Sequence, residues 1–305
     1  MKLNIVKNIL QNNTKNINIE FKRLFHGRGN VYENLEFLTI DSIDNILFVA
    51  FYSQIDIEFE KKLLDMLKEY ILTSRHNTIV LQRRYIAKTT ATVIAGIPED
   101  DLYIVENNLK LKINLLSNQN TGYFPDMKIG REFVKNNAKN KKVLNLFSYT
   151  CAFSVFAISG GATSVTNFDM AKGALTTGRA NHHLNNQETK NIKFYPHNIL
   201  KSFSKIKKES PYDLIIIDPP TFQKGSFEAT KDYDKIIKRL EDISSKDCIV
   251  LACLNSPSLT QDFIIELFAK LAPSFKYIKR LENVKEFEAI DEQRSLKNLV
   301  FQRVL

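Results

Sequence analysis

Five consecutive residues, Asp218-Pro219-Pro220-Thr221-Phe222, carry the densest chemistry in the sequence. Two adjacent prolines remove two backbone donors and fix two φ angles, so the chain leaves the preceding element with its carbonyls unpaired and held in place. Such a rigid acceptor edge suits the donor groups of a nucleobase turned out of its stack, and Phe222 supplies a ring for its face. Asp218 directly follows the apolar run Leu214 to Ile217. A turn could use the same prolines, but an aspartate buried ahead of them is hard to justify by folding alone.

Three other stretches also follow expected strands. Ser148-Tyr149-Thr150-Cys151-Ala152-Phe153 has no glycine before Gly160, which counts against the Gly-x-Gly-x-x-Gly turn that brings a pyrophosphate onto helix amides. Its small residues still admit a ligand without phosphate. Asp169, 22 residues beyond Phe147, stands where an acid accepts both hydroxyls of a ribose, and it can also cap the helix after it. Asn198 offers a donor and an acceptor to the edge of an adenine, and it too suits a helix N-cap. Gln223-Lys224-Gly225-Ser226 reads either as a mobile lid, with Lys224 reaching a phosphate, or as an ordinary surface loop.

The elements around these positions alternate. Helices are expected at Lys128 to Asn137, Phe153 to Ser159, Lys172 to His183, Ile199 to Lys207, Tyr233 to Ser244 and Gln261 to Leu271. Strands are expected at Lys142 to Phe147, Ser164 to Phe168, Lys193 to Tyr195, Leu214 to Ile217, Ile249 to Cys253, Tyr277 to Leu281 and Leu299 to Val304. Alternation of this kind predicts an α/β domain: a mostly parallel twisted sheet with helices on both faces, whose ligands bind at the carboxyl ends of its strands. Residues 1–117 read as a smaller α+β domain, including a hairpin turning at Asn107-Asn108. The boundary is placed before the polar stretch Gln119 to Gly122, giving domains 1–117 and 118–305.

Composition narrows the class. The 305 residues are 44% hydrophobic and 25% charged, with a net charge of +9, so a substantial core and an anionic partner are both expected. Biased genomic composition accounts for the same charge equally well. Basic residues cluster beside aromatics at Arg23 and Arg28, near Tyr32, and at Arg83 and Arg84, near Tyr85. Such groups can hold phosphates and stack bases, as solvated strand ends could also appear to do. No apolar run approaches the ~20 residues of a membrane span, and Met1 to Leu10 is too polar for a secretory signal, so the expected location is the cytoplasm. Cys151, Cys248 and Cys253 have no Cys-x-x-Cys spacing and the five histidines are scattered, which argues against disulfides and a metal site.

The second domain resembles the class I S-adenosylmethionine-dependent methyltransferases, specifically the family of large-subunit ribosomal RNA cytosine-5 and guanine-N7 methyltransferases. The matching stretches are Asn120 to Asp126, Val143 to Thr150, Asp169 with Asn181, and Asp218 to Phe222. The resemblance implies a Rossmann-like fold and S-adenosylmethionine as cofactor, held by Phe124, Asp126, Asn145, Phe147, Ser148, Tyr149, Thr150, Asp169, Asn198 and Asp218. Residues 147–150 would line its methionine end, Asp169 its ribose and Asn198 its adenine, and 218–221 would take the target base. It further implies RNA as substrate and direct methyl displacement without a metal; the residues expected to grip the RNA, read from the basic clusters and the 223–226 loop, are Arg23, Arg28, Arg83, Arg84 and Lys224.

The chain departs from the family where relatives commonly carry glycines, at Cys151-Ala152, and where they carry an acid, at Asn198. Cys253 stands where cytosine-5 members hold a nucleophilic cysteine, which that reaction needs to activate carbon 5. Its neighbours lack the family's serines, and a strand cysteine commonly packs in a core. Guanine N7 needs no such thiolate, and Asp218 to Phe222 with Asp291 to Ser295 look closer to the guanine-N7 members, which are slightly favoured. The alternatives are a noncatalytic RNA-binding or ribosome-assembly factor, motivated by the missing glycines, and a protein or small-molecule methyltransferase.

Overall fold

A computed structural model describes residues 2–13, 20–86, 91–223 and 227–304. Two compact units emerge: Met1–Pro125 with Val284–Ile290, and Asp126–Asn283 with Asp291–Leu305.

The first unit contains α1 (Lys2–Asn13), β1 (Lys22–His26), β2 (Leu38–Ile43), β3 (Ile46–Phe51), α2 (Ile57–Thr73), β4 (Thr78–Arg83), β5 (Thr92–Ala95), β6 (Tyr103–Glu106) and β7 (Leu109–Lys112). Strands β1 to β5 form one sheet in chain order, antiparallel except for the β3–β4 pair that α2 connects. Asp56 starts α2 by accepting the Phe59 amide at 2.9 Å, and Leu63 and Leu67, four apart on one face, are buried. The expected hairpin is present as β6–β7, with Asn107 and Asn108 at φ of 50° and 65°, as a two-residue turn of this hand requires. Neither α1 nor β1 was anticipated.

The boundary lies at Pro125 rather than 117. The polar stretch that looks like a linker is hydrogen-bonded to the first unit: Gln82 Nε2 donates to the Asn118 carbonyl at 3.0 Å, Arg84 Nη2 to the Gln119 carbonyl at 3.0 Å, and the Asn114 amide to the Thr121 carbonyl at 2.8 Å.

The second unit contains α3 (Lys128–Asn137), β8 (Lys142–Leu146), α4 (Ala152–Ser159), β9 (Ser164–Phe168), α5 (Lys172–Leu184), β10 (Ile192–Tyr195), α6 (Phe203–Lys208), β11 (Tyr212–Ile217), β12 (Phe222–Gln223), β13 (Phe227–Glu228), α7 (Ala229–Ile237), α8 (Leu240–Ile243), β14 (Ser244–Leu254), α9 (Gln261–Leu271), β15 (Phe275–Arg280) and β16 (Lys297–Arg303). Its seven-stranded sheet has the order β10-β9-β8-β11-β14-β16-β15. Pairing is parallel from β10 to β14, and β16 runs antiparallel to both neighbours. The connection between β15 and β16 contains only short 3₁₀ turns and no covering helix of the kind that usually joins parallel neighbours. Alternate residues feed two cores: Leu144, Ile215 and Ile217 on one face, Val143, Leu214 and Ile216 on the other. The sheet is therefore covered on both sides, as parallel strands require. Two expected helices are split, 199–207 into a 3₁₀ turn plus α6, and 233–244 into α7 plus α8.

Strand order reverses at β8, with β9 and β10 on one side and β11 and β14 on the other. Loops leaving β8 and β11 diverge there, which opens a crevice at the strands' carboxyl ends.

Candidate active site

The loop after β8 is built from an unusual backbone. Phe147, Tyr149 and Cys151 have φ of 58°, 46° and 61°, a left-handed region that costs an L-residue roughly 1–2 kcal/mol. The amides of this loop are used internally, the Ser148 amide donating to the Phe168 carbonyl at 3.0 Å. The Tyr149 amide donates to Asp169 Oδ2 at 2.8 Å, the Cys151 amide to the Ser148 carbonyl at 2.7 Å, and Asn181 Nδ2 to the Thr150 carbonyl at 2.9 Å. Ser148 Oγ is buried beside the Cys151 thiol and, among the described residues, has no other polar partner.

Asp169 follows β9. Its second oxygen accepts the Ala171 amide at 2.8 Å, so it shapes the turn into α5, whose N-cap is Ala171. Burial raises its pKa against the pull of these two amides. Asn198 caps the 3₁₀ turn after β10, accepting the Lys201 amide at 3.3 Å. Phe147, Asp169 and Asn198 line one shallow cleft together with Met170, Ile199, Leu200 and Gln223. Sequence reasoning missed Met170, Ile199 and Leu200, although the apolar pair Ile199-Leu200 directly behind Asn198 was a usable signal; Gln223 had been read as part of a lid or surface loop.

The proline corner follows β11. Thr221 Oγ1 donates to the Asn255 carbonyl at 2.7 Å, tying the corner to the loop after β14. The buried Tyr233 hydroxyl donates to the Cys253 carbonyl at 3.1 Å and the Ile217 carbonyl at 3.4 Å, holding both strand ends. Pro219 is buried, Pro220 is exposed, and Phe222 is 65% exposed. Phe222 and Gln223 pair antiparallel with Glu228 and Phe227; Lys224, Gly225 and Ser226, part of the expected lid or loop, lie outside the described residues. Burial and the nearby Asp126 charge push the Asp218 carboxyl up to about 7, against the pull of Arg131. Arg131 is buried on α3 and was not foreseen. Asp126 does not cap α3, whose N-cap is Met127.

Residues 22–302 match the model of the S-adenosylmethionine-dependent methyltransferase family. The chain belongs to that family. A candidate ribosomal RNA large subunit methyltransferase from Bacillus subtilis (strain 168), YwbD, is 30% identical over 305 residues, covering 92% of this chain and 74% of the relative. Ribosomal RNA large subunit methyltransferase I of Aeromonas salmonicida (strain A449) is 30% identical over 196 residues, covering 62% of this methyltransferase but 49% of the relative. This chain thus spans about half the length of the second relative. A candidate SAM-dependent methyltransferase from Streptococcus mutans superposes with a TM-score of 0.87 at 24% identity, over 99% of this chain and 80% of that one. Another candidate methyltransferase, solved in complex with SAH, gives 0.86 at 24% identity over the same shares. The fold is the Rossmann-like methyltransferase fold expected from the sequence.

The residues present fit the methyltransferase cofactor. The buried Ser148 hydroxyl, whose neighbour is a weak thiol, has hydrogen-bonding capacity left for a polar ligand contact, and Asp126, Asp169 and Asp218 suit a cationic sulfur. Other expected positions need correction. Asn145 is fully buried inside the sheet, its Nδ2 donating to Asn167 Oδ1 at 2.9 Å, because the parallel register sets the two opposite each other. Cys253 is buried, and burial together with the Asp218 and Asp126 charges holds its thiol far above the usual range, contrary to what a nucleophilic thiolate needs. Phe124 belongs to the first unit, where it is exposed. Arg23 is buried and paired with Asp41 at 2.5 Å, so it is unsuited to RNA. Arg83 pairs with Glu60. Arg84 and Arg28 both lie over Tyr52. Among the described residues, no group of three or more His, Cys, Asp or Glu could hold a metal ion, and no helix is long and apolar enough to cross a membrane.

Proposed function

We propose that this methyltransferase acts in the cytoplasm on a base of large-subunit ribosomal RNA, with guanine N7 favoured over cytosine C5. The observation that carries this reading is the proline-stiffened corner with half-buried Asp218 at the end of β11. It belongs to the same sheet edge as the cleft of Phe147, Asp169 and Asn198. Both named relatives are described as ribosomal RNA large subunit methyltransferases, one of them as a candidate.

When bound, S-adenosylmethionine supplies a methyl group already activated on a positive sulfur. The chain's task is then alignment and exclusion of water. Asp169, fixed by two backbone amides, orients a ribose, and Asn198 faces the adenine. The carbonyls at Asp218 to Pro220 fix the acceptor base and Phe222 covers its face. With a pKa near 7, Asp218 is divided between a neutral donor and an anion at neutral pH, so it can hold a proton against the base or face a cation. Burial of Cys253, which pushes its thiol well above the usual range, favours N7, which needs no covalent adduct.

Mass spectrometry of ribosomal RNA nucleosides from cells lacking this protein tests the reading. Loss of one 7-methylguanosine from large-subunit RNA, restored by the wild-type chain but not by Asp218→Ala, is expected. Unchanged ribosomal RNA, or labelled methyl appearing in protein, would overturn it. Loss of a 5-methylcytidine would overturn only the choice of base.

A further inference from the structure

Tyr52 and Arg84 directly follow β3 and β4, neighbouring parallel strands of the first unit, and the Arg84 amide donates to the Phe51 carbonyl at 2.7 Å. Arg84 Nη1 donates to the Tyr52 hydroxyl at 3.1 Å, and Nη2 donates to the Gln119 carbonyl and to Asn120 Oδ1 at 3.0 and 2.9 Å. Its guanidinium carbon lies 5.3 Å from the Tyr52 ring centroid. Arg28 reaches the same ring from the β1–β2 connection, at 4.1 Å.

The turn that presents Arg28 is locked. A Cβ on Gly27 would lie 1.8 Å from the Leu35 carbonyl oxygen, and one on Gly29 would lie 1.8 Å from that of Glu288. The glycines in this basic run are therefore required by close backbone approach. Arg28 is exposed, and among the described residues no carboxylate or hydrogen-bond acceptor pairs with it. Its planar fork of five donors is held by stacking, so little side-chain freedom remains to be lost on binding. Two like charges gathered at one ring repel, and an anion bound close to both would recover that energy. Arg23 and Arg83 differ, each having an acid partner.

We propose that Arg28 and Arg84, braced on Tyr52, form a phosphodiester-binding site through which the first unit holds the RNA backbone without regard to base sequence. The inference rests on the RNA reading above and names the surface that serves it. The test measures binding of a fluorescein-labelled oligouridylate to the full chain by anisotropy across a salt series, with calorimetry of S-adenosylmethionine alongside. Arg28→Gln is expected to weaken RNA binding about fivefold to tenfold at low salt and to lower the slope of log affinity against log salt by about 0.7, as one lost phosphate contact does. Cofactor affinity stays unchanged. Tyr52→Leu should reproduce the loss, and Tyr52→Phe, which keeps the ring, should not. Wild-type affinity and slope in Arg28→Gln would overturn the site while leaving the RNA reading in place. A wild-type chain that binds the cofactor but no RNA would overturn both.

Discussion

Gly178 on α5 faces Cys151 so closely that a Cβ built on the glycine would lie 2.5 Å from the Cys151 sulfur and 2.8 Å from its Cβ. Cys151 itself has a φ of 61°, where glycine is the least strained residue. The small residue expected in the loop is thus supplied by the opposing helix, and the cysteine occupies the space it leaves. The absent loop glycine, which in the sequence set this chain apart from its relatives and motivated a noncatalytic reading, is compensated in the fold.

Gly178→Ala is accordingly expected to push the loop after β8 out of place. Its collision is with a side chain on a backbone-fixed loop, so the cost should resemble overpacking, about 1–3 kcal/mol, and S-adenosylmethionine affinity should fall with it. Adding Cys151→Gly removes the obstructing sulfur and should restore both. Urea unfolding and calorimetry on the two variants check this; Gly178→Ala behaving as wild type in both would show that the contact is not limiting.

Cys253→Ala is expected to leave guanine methylation within a few-fold of wild type and to cost about 1 kcal/mol or more of stability. The residue packs with Leu251 and Val300 in a core, so removing its sulfur leaves a small void. Methyl incorporation by a folded variant decides the matter: complete loss of transfer would restore the cysteine as nucleophile and shift the target to cytosine.

How much was legible in the sequence follows from where each signal resides. The turn at Asn107-Asn108, the alternation from Lys128 onward and the corner at Asp218 depend on neighbours along the chain, and they were readable. Arg23 depends on Asp41 across the β1–β2 ladder, so its basic neighbours misrepresented it. Asn145 was named as a ligand only through the resemblance of Val143 to Thr150, whereas its partner Asn167 is fixed by strand register. The boundary was misplaced because hydrogen bonds to residues 118–121 come from Gln82, Arg84 and Asn114. Gly178 carried a faint signal, since a glycine inside a helix costs roughly 1 kcal/mol relative to alanine and invites a packing reason.

Acid sensitivity should follow from the histidines. Burial lowers His182 to about 4, with Ser154 Oγ at 2.9 Å from one ring nitrogen and Gln187 Oε1 at 2.6 Å from the other. Burial also lowers His26 to about 3 and His76 to about 4. Each folded value lies below the unfolded 6.5, so their contribution is fully present above pH ~6.5 and is lost as pH falls toward 4, by up to about 1.4 kcal/mol per pH unit for each histidine. Urea midpoints measured from pH 7 to 4.5 should fall. A flat profile would mean that these rings are protonated in the folded chain.

Asp218 titrates with the opposite sign. Its folded value of about 7 lies above the ordinary 3.8, through burial first and the Asp126 charge second. Its contribution to stability is therefore full below pH ~4 and is lost as pH rises through 7, a cost of up to about 4 kcal/mol at pH 8. Asp218→Asn keeps the shape and removes the charge. It should raise the unfolding free energy at pH 8 and hardly change it at pH 4, while methyl transfer falls at least a hundredfold and calorimetry still detects S-adenosylmethionine. Stability and function would then be opposed at one carboxyl, as expected where a charge is kept buried for chemistry. A variant equally stable to wild type at pH 8 would show that the acid is solvated, and one that retains transfer would remove Asp218 from the site.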